Sequence, residues 1–397
     1  MNSDLIFALL FYGLLFLFFA TYRSKFEVQN KIFVLYKTKL GLNLMDKLSK
    51  KIPTFWKYLG YLGVIVGFLG MIIILYTLTL GTYKLIAVPD SQPALAPLLP
   101  GVQLPGLPQL TFWYWIISIF ILAVIHEFSH GLYSRLYNVK VKSSGFAFLG
   151  PILAAFVEPD EKELEKKGKM AQLSVFCAGP FSNIILGGIV LVIYSLLLAP
   201  VASSINESTG VKIVVLQDGF PAKDSGMSIG EDIIAVNGIE VNSIDEFTSN
   251  LDNLKPGDKV IIETEKNNYG IEAGKNPNNN EQGYLGMSVQ SVNQISKEVV
   301  EKYGKFLPGL FMWVFFLFFW LYVANIGVGL FNLLPLGPVD GGKIFYVGML
   351  AIFKRRKTAM RLWNYMSFFV LILIFVNLLP WLSKLFFLIA KPFMMIG

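Results

Sequence analysis

The chain has 397 residues, of which 54% are hydrophobic and 15% charged. That balance would leave too much apolar surface in water for a soluble domain, and it fits an integral membrane protein. Its formal charge of +7 comes from Lys and Arg scattered among loops, which is a pattern of membrane topology and not of a nucleic-acid-binding face. The one cysteine, Cys177, lies in an apolar run, so an intrachain disulfide and a cysteine-based zinc site are both excluded and the residue reads as a small core side chain.

Leu5 to Tyr22 is a nearly unbroken apolar run with no small-residue cleavage site after it, and it is expected to remain as a first span. From Arg23 to Lys57 nine Lys and Arg stand against Glu27 and Asp46, so the positive-inside rule puts this loop in the cytoplasm. Its Phe33-Val34-Leu35-Tyr36 and Leu40 to Leu48 pieces read either as segments lying along the membrane surface or as a solvated linker. Tyr58 to Leu80 is a second span whose Gly60, Gly63, Gly67 and Gly70 would let neighbouring helices approach closely. Pro89 to Pro108 is apolar yet full of helix breakers, and is expected either to cap a cavity at the outer leaflet or to serve as a stiff external linker.

The third span, about Phe112 to Tyr137, contains Ile125-His126-Glu127-Phe128-Ser129-His130-Gly131. Residues four apart share one helix face, so His126 and His130, the only histidines of the chain, can offer two imidazoles to one metal, with Glu127 beside them as a base. Ionisable groups at membrane depth are costly, and that cost points to function. Ser143 to Pro159 is too short and too broken by Gly150 and Pro151 to span. It is predicted to be a β-hairpin turning at Leu149-Gly150-Pro151 and folded back into the membrane, with an edge strand near the metal that could pair with an extended substrate.

Met170 to Leu198 is a fourth span, interrupted by Gly179-Pro180-Phe181-Ser182-Asn183. From about Ile205 to Lys297 polar residues dominate, with strands expected at Val211 to Leu216, Asp232 to Val236 and Lys259 to Glu265, and a capped helix at Ser243 to Leu254. The span count puts this inserted domain outside the cytoplasm. Leu307 to Leu334 is a fifth span ending in Asn332-Leu333-Leu334-Pro335-Leu336-Gly337-Pro338-Val339-Asp340-Gly341-Gly342. Lys354-Arg355-Arg356-Lys357 marks the cytoplasm, Leu362 to Leu379 is a sixth span, and the tail from Trp381 is interfacial or a partial span. Spans three and five run in the same direction, which brings Asp340 toward the leaflet that holds His126 and His130. Two His and one Asp leave a zinc ion one open position for water, the arrangement of a catalytic site, and the implied reaction is amide hydrolysis.

HEFSH, GPFSN and NLLPLGPVDGG in this order resemble the site-2 protease family of intramembrane zinc metalloproteases, and Gly219 to Met227 with Gly230 to Gly238 resembles a PDZ domain. The resemblance covers about Phe112 to Lys343. It implies His126, His130 and Asp340 as ligands of one zinc per chain, Glu127 as catalytic base, Asn183 as a residue that steadies the oxyanion or the substrate backbone, and Asn332 as a residue that holds the substrate strand. Gly145 to Val157 would be a membrane re-entrant hairpin. The substrates would be single-pass membrane proteins cleaved in or near their transmembrane segment, in contact with lipid and with no nucleic acid involved.

The implied architecture is a polytopic α-helical membrane protein of about six transmembrane helices with an inserted extracytoplasmic PDZ-like α/β domain. Its divisions are 1–110 (two helices and their loops), 111–204 (first half of the catalytic core), 205–300 (PDZ-like domain), 301–345 (second half of the core) and 346–397 (C-terminal helix and tail). Few cysteines with abundant Lys, Asn and Ile fit a prokaryotic cell membrane, with the active site toward the cytoplasm. Two other readings stay open: a membrane zincin such as a prenyl-protein protease, which would need a glutamate third ligand, and a non-catalytic chaperone or receptor working through the PDZ-like domain.

Overall fold

The computed structural model describes residues 3–23, 26–29, 33–88, 91–102, 104, 107–149, 152–277 and 279–394. Two compact units emerge, one from 1–102, 109–193 and 316–397, the other built mainly on 194–315. The chain opens with α1 (Ser3–Thr21), β1 (Phe26–Gln29), β2 (Phe33–Thr38), α2 (Leu42–Lys51), α3 (Pro53–Ala87) and α4 (Phe112–Leu136). It continues through β3 (Val141–Leu149), β4 (Ile152–Pro159), α5 (Glu161–Glu165) and α6 (Lys169–Ile193).

A π-helical turn, Tyr194–Leu198, leads into the second unit: α7 (Ala199–Ile205), β5 (Asn206–Leu216), α8 (Pro221–Asp224), β6 (Asp232–Val236), β7 (Ile239–Glu240) and α9 (Ile244–Ser249). There follow β8 (Lys259–Thr264), β9 (Asn268–Glu272), β10 (Gly274–Asn276), β11 (Asn279–Tyr284), β12 (Met287–Ile295) and α10 (Lys297–Tyr303). Then α11 (Phe306–Phe331) returns the chain to the first unit, which ends in α12 (Asp340–Phe353) and α13 (Arg356–Met394).

Among the described residues six helices are long and apolar enough to cross a membrane: α1, α3, α4, α6 with its continuation to Ile205, α11 and α13. The 25 residues of α4 extend about 38 Å at ~1.5 Å per residue, more than the ~30 Å hydrocarbon core. Leu14, Phe16, Ile72 and Leu196 point outward, exposed, as lipid-facing side chains do. The chain is a polytopic helical membrane protein.

Glycines let α3 seat closely on its neighbours. A Cβ at Gly63 would lie 2.9 Å from the Phe181 ring, at Gly67 2.7 Å from the Cys177 sulfur, and at Gly70 2.5 Å from Leu333. Without a hydrophobic drive between helices in lipid, such close backbone approach supplies the dispersion that holds them. Cys177 is buried in that contact, as a small core residue.

The apolar pieces of the basic loop are not a free linker. Phe33 to Thr38 is β2, paired antiparallel with β3 from Phe33↔Leu149 to Thr38↔Ser144, and β1 pairs with β2 in turn. The hairpin is thus part of a four-stranded sheet in the order β1-β2-β3-β4, with β4 at one edge. The turn residues Gly150 and Pro151 lie outside the described residues. Alternating Leu35 faces inward and is buried, and Met45 of α2 is almost fully buried where Gly131 leaves room on α4. Two short apolar faces find partners distant in sequence, which their own periodicity could not reveal.

The described part of the Pro-rich connection is docked, not free. The Ala94 amide donates to Oδ1 of Asn377 at 2.8 Å, Trp381 Nε1 donates to the Leu95 carbonyl and Trp115 Nε1 to that of Leu98. A Cβ at Gly81 would meet that of Ala94 at 2.3 Å. The tail beyond Trp381 continues α13 without a break to Met394, and α12 is a helix that the sequence reading did not separate.

The second unit is a sheet ordered β12-β5-β6-β8-β9 with β7 on β6, beside a β10-β11 hairpin. Val211, Ile213, Ile233, Val236, Val260, Ile262 and Ile271 are buried together and form its core. Ser243 caps α9 by accepting the Glu246 amide, and the Glu246 carboxylate accepts from the Asn242 amide, which stops the helix start from fraying.

Candidate metal centre

His126 and His130 stand one turn apart on α4, both buried. Asp340 reaches them because the loop before α12 folds back tightly: the Gly341 amide donates to the Asn332 carbonyl at 2.7 Å. A Cβ on Gly341 would sit 2.2 Å from the Leu334 carbonyl oxygen and one on Gly342 2.3 Å from that of Leu336, so only glycines fit after the aspartate. Asp340 opens α12, where the helix dipole favours a carboxylate.

Oδ2 of Asp340 lies 3.0 Å from Nε2 of His126 and 3.2 Å from Nε2 of His130, and the two nitrogens are 3.1 Å apart. Four ligands at about 2.0 Å around a tetrahedral zinc are separated by roughly 3.3 Å, so the triangle is close to one face of such a tetrahedron. Among the described residues these three are the group able to hold a metal ion.

The outer contacts of the imidazoles test the fit. Nδ1 of His130 lies 2.7 Å from the Val175 carbonyl, which only accepts, so Nδ1 carries the proton and Nε2 presents a lone pair. Nδ1 of His126 lies 3.0 Å from the Asn183 carboxamide, whose Oδ1 is buried without a partner in the orientation seen. A half-turn of the amide lets Oδ1 accept from Nδ1–H, and Nε2 of His126 is then bare as well. In that state two Nε2 lone pairs and a carboxylate oxygen converge, and a cation among them would relieve their repulsion. The donor set fits a divalent metal, with Val175 and Asn183 orienting the ligand rings.

Four features of the centre escape a reading of the sequence. A Cβ at Gly179 of α6 would stand 2.4 Å from Nε2 of His130 and 2.5 Å from Nε2 of His126; a glycine in a span gives no sign of this until its neighbour is known. The Val175 carbonyl carries no signal at all. The backbone amide of Val157 on β4 donates to Oε2 of Glu127 at 3.0 Å. Lys343, paired with Glu161 at 3.5 Å, lines a cavity of about 290 Å³ together with Glu127, His130 and Asp340.

The expected residues come together unevenly. Glu127 lines the same cavity as His130 and Asp340. Asn183 is fully buried, with its amide on His126. Asn332 lies in the loop before Asp340, half-buried, and its side chain makes no hydrogen bond among the described residues.

A family model described as Peptidase family M50 matches residues 114–374. The chain is 28% identical over 314 residues to an uncharacterised protein of Methanocaldococcus jannaschii, with 78% of this chain and 76% of that protein covered. It is 24% identical over 235 residues to the zinc metalloprotease RasP of Shouchella clausii, spanning 49% of this chain and about half, 54%, of RasP. A solved PDZ domain of an SdrC-like protein from Listeria monocytogenes matches 20% of this chain and 86% of its own, at 22% identity and a TM-score of 0.19. The matched span holds the two histidines, the aspartate, two of the six membrane-length helices whole and most of two more, and the chain belongs to Peptidase family M50, the site-2 protease family of membrane zinc metalloproteases.

Proposed function

We propose that this protein is an intramembrane zinc metalloprotease that hydrolyses a peptide bond within or beside the transmembrane segment of single-pass membrane proteins. The observation that carries the reading is the triangle of Nε2, Nε2 and Oδ2 atoms, 3.0–3.2 Å on a side, with both nitrogens supplied by a helix long enough to span a membrane. One zinc per chain, held by His126, His130 and Asp340, would supply Lewis acidity and lower the pKa of water toward about 7.

The chain's own groups do the rest. Glu127 removes the proton of the attacking water at a carboxylate oxygen and delivers it to the leaving amine nitrogen. Asn183 and Val175 fix the rings of His126 and His130, and this positioning role for Asn183 takes the place of direct contact with the oxyanion. Asn332 offers a free carboxamide to the backbone of the bound segment. A transmembrane helix satisfies its own amides, so the scissile stretch must open first. The edge strand β4 gives the opened stretch a ladder to join.

The hairpin is read as re-entrant, the centre as facing the cytoplasm of a prokaryotic cell membrane, and the insert as a PDZ-like domain outside it by span parity. Purified protein, a model transmembrane substrate and a chelator test the reading. Cleavage should require metal, return on adding zinc, and fall about 10²–10⁴-fold in Glu127→Gln while that variant keeps its zinc. Undiminished cleavage by Glu127→Gln, or by chelated protein, would sink it.

A further inference from the structure

Val157 pairs with Ser144 in the β3–β4 register, yet its N–H is given to Glu127 and not to β3. In an antiparallel ladder alternate residues turn their N–H and C=O away from the neighbouring strand, so Val157, with Ala155 two residues before it, faces the open edge of β4. That edge is where an added strand would pair. The carboxylate of Glu127 therefore occupies the place that a substrate carbonyl needs if its strand is to run across residue 157. One N–H serves one good acceptor, so the two arrangements compete.

We infer that the Val157 amide is a positioning group that restrains Glu127 in the free protein, and that a substrate adding as a strand across residue 157 takes over that amide and frees Glu127 for proton transfer. The inference rests on the proposed role of Glu127 as base. It narrows the substrate class to segments able to extend along Ala155 to Val157. A peptide too short to pair there meets a base that is still tied, and the penalty falls on kcat and not on KM. No bond beyond those of amide hydrolysis is made or broken.

Val157→Pro removes the N–H at an outward edge position, where proline leaves the ladder to β3 intact. Ala155→Pro removes the neighbouring outward N–H without touching Glu127. Each zinc-loaded variant is assayed with a transmembrane substrate and with a short blocked dipeptide amide. Val157→Pro should raise kcat on the dipeptide about tenfold with KM within twofold of wild type, and lower cleavage of the transmembrane substrate. Ala155→Pro should also slow the transmembrane substrate but give no rise on the dipeptide.

A kcat on the dipeptide that is unchanged or lower in Val157→Pro, including no detectable cleavage, overturns the inference. If Val157→Pro does not fold, hydrogen exchange decides. Glu127→Ala should speed exchange of the Val157 amide in the free protein, and bound transmembrane substrate should protect it equally in Glu127→Ala and in chelated wild type. Equal exchange in the two free proteins overturns the restraint. The protease reading fails separately, when cleavage of the transmembrane substrate ignores the chelator or Glu127→Gln.

Discussion

A Cβ at position 179 would stand 2.4 Å and 2.5 Å from the two Nε2 atoms, inside the closest approach that real Cβ atoms show, so either the rings or the helix would have to move. Gly188, on the same helix, has nothing within 4 Å of its Cβ position. Gly179→Ala should therefore drop zinc content from near one per chain to near zero, while Gly188→Ala leaves it unchanged; metal analysis on both proteins reads the difference. Asn183→Ala removes a ring-orienting contact and not a ligand. It should weaken zinc affinity by about 10–100-fold, seen by competition with a chelator of known affinity, and the defect should lessen as zinc is raised. The HExxH ligands are legible because four-residue spacing on a helix has one geometric meaning. The need for glycine at 179 is not, because it depends on which side chain stands opposite.

Among the elements, the long spans are readable since a membrane demands length and apolarity over the whole run. β1 and β2 hide in a basic loop because each is only four to six residues long, and the strand that β2 pairs with, β3, begins 103 residues beyond Thr38. The short helix α5 is held by its cap: Asp160 accepts from the Glu163 amide and pairs with Lys142. Its carboxyl is held below the ordinary range, first by that amide and then by Lys142. A group with a lowered folded-state pKa contributes fully above its unfolded value, and the contribution is lost as pH falls through the folded one. Hydrogen exchange of the Glu163 amide should be several-fold faster in Asp160→Ala than in wild type at pH 7. That gap should close on acidification below about pH 4 as Asp160 protonates in wild type, and a gap that ignores pH would show that the cap is not ionised.

For the molecule as a whole, the polar insert between α6 and α11 contributes no ligand to the metal centre, since His126, His130 and Asp340 all lie in the first compact unit. We propose that this insert acts as a filter on bulky ectodomains. Replacing 205–297 with a short flexible linker should widen the range of ectodomain sizes cleaved and keep cleavage dependent on Glu127, measured on a substrate series of increasing ectodomain mass. A folded, zinc-replete deletion that cleaves nothing would refute the filter. Loop-closure cost grows only with the logarithm of length, which is why a large insert can sit between the two halves of one site.

The distance along the chain between His130 and Asp340, 210 residues, also orders events in time. A ribosome must reach residue 340 of 397 before the third ligand exists, so a nascent chain carries two imidazoles and a base through most of its synthesis with nothing to complete them. The three candidate ligands are therefore all present only after the fifth membrane-length helix has been translated.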